Sequence, residues 1–273
     1  MKIIVILFFS MLLALPTYGQ NRETDYLSHV LEKMNAVESV TYHCVKKAWE
    51  PGDKEPVYNV PTEIYEHVNP QDTAVGYSFL CASDKEFRQP LWVYDGTVFA
   101  YIEKEEKEVR IDDFTQKSPL PFRVIMPQAF GCMKSILEYV LNTQDSIVLS
   151  LKDEGKDYLM ELSIHTPYQV EFFGKACYMP QNPYIYDPTS IYKIWISKEN
   201  DMPYRYRREM QHSISEDICS DFVYNPSGKG KIVAEDYYPA DYVRRIKGEK
   251  SQKATVDMTG KKAPDWTLTD MKG

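Results

Sequence analysis

Apolar residues recur along the chain with two different periods. Leu27, Val30, Leu31, Met34 and Val37 fall at i, i+3, i+4, i+7 and i+10. That stripe predicts an amphipathic helix over Thr24–Val37, with Asn21 or Thr24 as its cap. A second helical stripe, Phe130, Met133, Ile136, Leu137, Val140 and Leu141, predicts a helix from Gln128 to Leu141 that stops at Asn142-Thr143.

The rest reads as strands. Ser39–Trp49, Thr62–Val68, Thr73–Cys81, Leu91–Tyr94, Thr97–Ile102 and Val109–Phe114 precede the second helix. Ser146–Leu151, Tyr158–His165, Gln169–Phe173, Ile191–Ser197, Tyr204–His212 and Ile218–Tyr224 follow it. They are rich in β-branched and aromatic residues and bounded by turn residues such as Pro51-Gly52-Asp53, Glu154-Gly155 and Asn225-Pro226. Asp95-Gly96 between two apolar runs predicts a hairpin of type I′, in which both central residues take positive φ. Pro180–Pro188, with three prolines, is a loop. Strands joined by short turns pair antiparallel. The fold class expected is therefore α+β: one large curved antiparallel sheet, an incomplete β-barrel, with helices packed on one face.

The two ends differ from this body. Lys2 is followed by an apolar run, Ile3–Leu15, then Pro16 and small residues near Gly19. This is the pattern of a secretory signal over residues 1–20, cleaved after Gly19 or Gln20. The run is shorter than the roughly 20 residues that span a bilayer. The expectation is an exported protein, periplasmic or secreted, with no membrane segment after cleavage. A β-rich domain occupies 21–246, and the polar stretch 247–262 reads as a linker.

A net charge of −8 argues against nucleic acid as a partner, because phosphate recognition needs a basic face. The five cysteines, Cys44, Cys81, Cys132, Cys177 and Cys219, contain no Cys-x-x-Cys pair. They read as buried unpaired thiols, with a structural bridge as the alternative and no pairing singled out. His43-Cys44 is no ligand pair, since neighbours on a strand point to opposite faces. His29, His67, His165 and His212 stand singly, and Glu103, Glu105, Glu106 and Glu108 alternate with lysines at a solvated turn. No catalytic, cofactor-binding or metal-ligating residue is therefore assigned.

The aromatic load is unusual. Tyr65, Tyr77, Phe79, Trp92, Tyr94, Phe99, Tyr101, Tyr192, Trp195, Tyr204 and Tyr206 all fall on expected strands. Two readings stay open: ordinary core packing between sheet and helix, or an aromatic-lined cavity in the concave face that takes an apolar ligand.

Several phrases carry a resemblance. Val37-Glu38-Ser39-Val40-Thr41-Tyr42, Trp92-Val93-Tyr94-Asp95-Gly96 and Lys193-Ile194-Trp195-Ile196-Ser197-Lys198 with Met202-Pro203 resemble the LolA-like periplasmic lipoprotein carriers over Thr24–Tyr238. That resemblance implies an incomplete barrel closed by helices around an apolar cavity. A second phrase, Ala263-Pro264-Asp265-Trp266-Thr267-Leu268-Thr269-Asp270-Met271-Lys272-Gly273, resembles the opening of a thioredoxin-like redoxin domain of the TlpA type, with 263–273 as its start. The redox cysteine pair of such domains lies beyond this point. Two functions follow as expectations. One is a non-catalytic accessory domain of an exported TlpA-type thiol-disulfide oxidoreductase, which binds a partner protein or ligand. The alternative is a free-standing LolA-like carrier of lipid or another apolar ligand.

Overall fold

The computed structural model describes residues 17–115, 120 and 122–249, with the backbone alone for 17–21. The apolar run Ile3–Leu15, most of the expected linker and all of Ala263–Gly273 lie outside the described residues.

Helix α1 (Thr17–Asn35) starts earlier and ends sooner than its apolar stripe suggests, and it runs through the expected cleavage point. Its buried face is the expected one: Leu27, Val30 and Met34 are fully buried. The first meander follows: β1 (Ser39–Trp49), β2 (Tyr58–Val68), β3 (Tyr77–Ala82), β4 (Pro90–Tyr94), β5 (Val98–Glu103) and β6 (Glu108–Asp113). Helix α2 (Ala129–Asn142) separates it from a second group, β7 (Ile147–Asp153), β8 (Asp157–Ile164), β9 (Val170–Phe172), β10 (Ala176–Tyr178), β11 (Ser190–Ser197), β12 (Met202–Met210) and β13 (Ser213–Tyr224). After it come a 3-10 turn at Ala234–Tyr237 and β14 (Val243–Ile246).

Among the described residues, twelve strands form one open sheet in the order β14-β6-β5-β4-β3-β2-β1-β13-β12-β11-β8-β7. Two meanders are thus joined back to back along β1 and β13. Every pairing in this sheet is antiparallel except β14 with β6. Asp221, at φ 57°, is the extra residue of a bulge opposite Tyr42, and register also shifts at Trp195/Ile196 and Cys81/Ala82. Such insertions sharpen local twist and curl the sheet.

Four local expectations are corrected. Residues 73–76 form a turn, not the start of β3, because the Asp72 carboxylate accepts the N–H groups of Ala74 and Val75. At the β4–β5 hairpin the central residues are Gly96 and Thr97, and only Gly96 has positive φ, at 100°. That is the II′ pattern rather than I′. The Asp95 carboxylate, by accepting the N–H groups of Thr97 and Val98, draws the turn one residue on. Val170–Phe172 leaves the main sheet and pairs with Ala176–Tyr178 as a separate ribbon. β13 begins at Ser213, so His212 lies in the tight turn after β12.

Both helices pack on one face, as expected. The main core gathers Leu27, Met34, Phe130, Met133, Ile136 and Leu137 from the helices with Tyr42, Ile64, Phe79, Met160, Tyr192 and Tyr206 from the sheet. The opposite face is not bare. Residues 226–246, unassigned by pattern, cross it as a strap. Ile232 and Ala234 cover Tyr65, Leu80, Val93, Ala100, Ile102 and Val109 in a second core. The Tyr65 hydroxyl donates to the Gly230 carbonyl at 2.8 Å, and the Asp95 carboxylate accepts the Ala234 N–H at 3.1 Å. The strap ends in β14, which adds to β6 in parallel.

Candidate ligand-binding cleft

The expected aromatic set is divided by the sheet. Phe79, Tyr94, Tyr192 and Tyr206 are buried in the helix-side core, and Tyr77 is almost fully covered beside α2. Phe172 and Tyr192 meet edge-on at 5.0 Å. For these residues the packing reading holds. Tyr65 points the other way, under the strap. Trp195 lies on the outer surface, where the Arg205 guanidinium sits 4.0 Å above its ring.

Tyr204 is half-buried and donates to the Asp157 carboxylate at 2.8 Å. That leaves Trp92, Phe99 and Tyr101. They share the helix-side face of β4 and β5, at the flank beyond the helices. Trp92 and Tyr101 stack with ring centroids 6.4 Å apart, and Phe99 meets Phe79 edge-on at 6.5 Å. Beside them an open cleft of about 350 Å³ runs between β5, β6 and β14. Phe99 and Tyr101 give it an apolar floor, and Tyr101 is 43% exposed. Ile111 and Ile246 line it only along the backbone, because Ile111 pairs with Ala100 and turns to the strap-side core.

Charged side chains rim it. Arg110 pairs with Glu103 at 2.7 Å and Glu108 at 3.3 Å, and Glu108 also accepts from Arg245. Lys247 pairs with Asp112 at 2.5 Å. Arg245, then Arg110, hold the Glu108 carboxyl below its usual range. Glu103 and Glu108 therefore belong to this rim, while the solvated hairpin tip is Lys104–Lys107, with Lys107 at φ 50°. The third wall, residues 245–247, comes from the strap. A sequence reading that stops at strand periodicity has no signal for it, because Val-Arg-Arg-Ile is short and three of its four residues are exposed.

A second charged cluster is structural. Arg123 bonds Asp72 at 3.1 Å and the Tyr94 hydroxyl at 2.5 Å, and it also reaches the Gly96 carbonyl; Tyr94 in turn donates to Asp72 at 2.6 Å. Burial and the hydrogen bond to Asp72 push the Tyr94 phenol up. The knot fixes the β4–β5 turn against the chain that leads into α2.

His43 and Cys44 face opposite sides as expected: Cys44 is buried, and His43 pairs with Glu63 at 2.8 Å. His29 lies 3.6 Å from Asp201. Among the described residues no group of three or more His, Cys, Asp or Glu side chains is placed to hold a metal ion. No helix among them is long and apolar enough to cross a membrane. All five cysteines are buried and free.

No family model matches the sequence, and no curated protein matches it. Among solved structures, the chain is similar to the lipoprotein LppX of Mycobacterium tuberculosis at 9% identity and a TM-score of 0.38, over 77% of this chain and 97% of that one. It is also similar to a LolA superfamily protein of Nitrosomonas europaea, at 9% identity and a TM-score of 0.28 over 80% and 99%. A putative outer membrane lipoprotein-sorting protein domain of Vibrio parahaemolyticus gives 8% identity and a TM-score of 0.32 over 77% and 94%.

Proposed function

We propose that this chain is a binding or carrier module for an elongated apolar ligand, and that the ligand enters the cleft between β5, β6 and β14. The observation that carries the reading is the apolar floor of Phe99 and the exposed Tyr101 in a cleft of about 350 Å³. That is near the lower end of the roughly 300–1,000 Å³ typical of small-molecule sites. Helices α1 and α2 cover the middle of the helix-side face, so the ligand lies at one flank of it. A charged rim around an apolar floor suits a chain with a polar head.

The test is titration with a fluorescent fatty acid. Binding should be saturable and weakened about tenfold or more by Tyr101→Asp, the scale of burying an unpaired charge. It should be unaffected by Val148→Ala, an exposed site on the far edge strand β7. No binding, or equal binding by both variants, refutes the proposal.

Export rests on residues 1–20. Recovery of a protein beginning at Gln20 or Asn21 supports it, and recovery of an intact amino terminus opposes it. The accessory-domain reading rests on the Ala263–Gly273 phrase alone, and nothing in the described residues bears on it.

A further inference from the structure

The two meanders meet along β1 and β13, and one pair on that seam carries chemistry. Cys44 and Cys219 are direct partners across the ladder. Both point into the helix-side core, at 0% and 4% exposure. Backbone parity defines how they face each other. The Ala48 carbonyl accepts from the Val57 N–H at 2.9 Å, and the Cys44 carbonyl accepts from Thr62 Oγ1 at 3.3 Å. Both donors lie on the β2 side, and Ala48 and Cys44 share parity. The polar backbone groups of Cys44 therefore point away from β13. The two cysteines occupy a non-hydrogen-bonded position, where Cα atoms stand about 4.5 Å apart. That spacing lies inside the roughly 4.4–6.8 Å a disulfide spans.

The register is held on both sides of the pair. The Asp221 bulge lies on one side, and Lys46 pairs with Asp217 at 3.0 Å on the other. Access is asymmetric. Cys219 lines a second cleft of about 330 Å³, together with Met202, Tyr204, Phe222 and Tyr224, whereas Cys44 sits behind it. No other cysteine has such a partner: Cys81 stands opposite Ile64 and Trp92, Cys132 is on α2, and Cys177 faces Glu171.

We infer that Cys44 and Cys219 form a redox-active dithiol, oxidised by a small external disulfide to a cross-strand bond, with Cys219 reacting first. The Cys219 thiol loses its proton, and its thiolate attacks one sulfur of the external disulfide. This forms a mixed disulfide and releases one thiolate. Cys44 then loses its proton and attacks the Cys219 sulfur, which expels the second thiolate. The two protons end on the two released thiols. The external disulfide is reduced by two electrons and the cysteine pair is oxidised by two. Burial pushes the Cys219 thiol up, so exchange is slow in the folded chain.

The test uses the full chain, reduced, desalted and incubated with oxidised glutathione under native conditions. Remaining thiols are alkylated in denaturant and the digest is read by mass spectrometry. The expected product joins the Cys44 and Cys219 peptides and leaves Cys81, Cys132 and Cys177 alkylated. Any other linked pair, or alkylation of all five, overturns the assignment. So does glutathione retained on Cys219 beside an alkylated Cys44. In Cys44→Ser, glutathione should stay on Cys219; an unmodified Cys219 there overturns the order of attack.

Discussion

The backbone N–H of Gly131 donates to Oε2 of Glu66 at 3.1 Å, and that of Phe130 donates to Oε1 at 3.0 Å. Helix α2 has no side-chain cap of its own at Gln128. A carboxylate on β2 satisfies its first-turn donors instead. The contact needs the absence of a side chain at 131: a Cβ there would stand 2.9 Å from Glu66 Oε2 and 3.0 Å from the Tyr77 ring. Gly131→Ala should therefore destabilise by about 1–3 kcal/mol, although alanine favours helices. Urea denaturation measures it, and a gain in stability would refute the tight fit.

Glu66 also gives the protein a pH dependence. Burial raises its carboxyl from 4.5 to about 7, against hydrogen bonds from Tyr42, Gly131 and Phe130 that favour the ionised form. The folded state thus holds this proton more tightly than the unfolded chain. The stability it contributes is fully present below about pH 4.5 and is lost as pH rises through about 7. At about 1.4 kcal/mol per unit the loss is about 3 kcal/mol. Denaturation midpoints should fall between pH 5 and pH 8, and Glu66→Gln should flatten that slope. The same slope in both proteins would show that another group is responsible.

Leu137 is fully buried on the sheet-facing side of α2. Leu137→Ala should cost about 2–5 kcal/mol. A change below about half a kcal/mol, typical of surface sites, would contradict its place in the core.

Gly174 turns the β9–β10 ribbon at φ 87°, and a Cβ on it would come within 2.1 Å of the Val75 carbonyl oxygen. Gly174→Ala is strained by conformation and by contact with rigid backbone. It should destabilise by more than the roughly 1 kcal/mol of a simple positive-φ replacement. A thermal melt equal to that of the unmodified chain would mean the ribbon does not pack on residue 75.

Ligand and strap should be linked, because Arg245, Ile246 and Lys247 form one wall of the cleft. A saturating fatty acid should slow proteolysis between 240 and 249 without slowing cleavage of the exposed 180–188 loop. Equal protection at both places, or none at the strap, would separate binding from the strap.

Local pattern reveals most of the fold. The stripe of α2 and all of β1 follow from periodicity because each buries one face with the right repeat. What it misses is long-range. Glu66 reads as one more polar residue on an alternating strand, and its burial depends on α2 docking 64 residues away from it along the chain. Phe99 and Tyr101 are visible as aromatic strand residues, but the wall that makes them a cleft arrives with Val243–Ile246. Cys44 and Cys219 face each other only because of a register that begins with Val40 opposite Tyr224.

That seam bears on the order of folding events. Each meander closes mostly between neighbours in sequence, the one wider step being β8 with β11 across the β9–β10 ribbon. The β1–β13 ladder instead joins residues as far apart as Val40 and Tyr224. Non-local pairing of this kind must overcome a large loop entropy before any contact rewards it, and it dominates the folding time of β-rich chains. The two halves should therefore assemble early and zip together late, with the seam as the slow step. Until it closes, the Cys44 and Cys219 thiols are open to solvent, so a chain still folding is oxidised far faster than one that has finished.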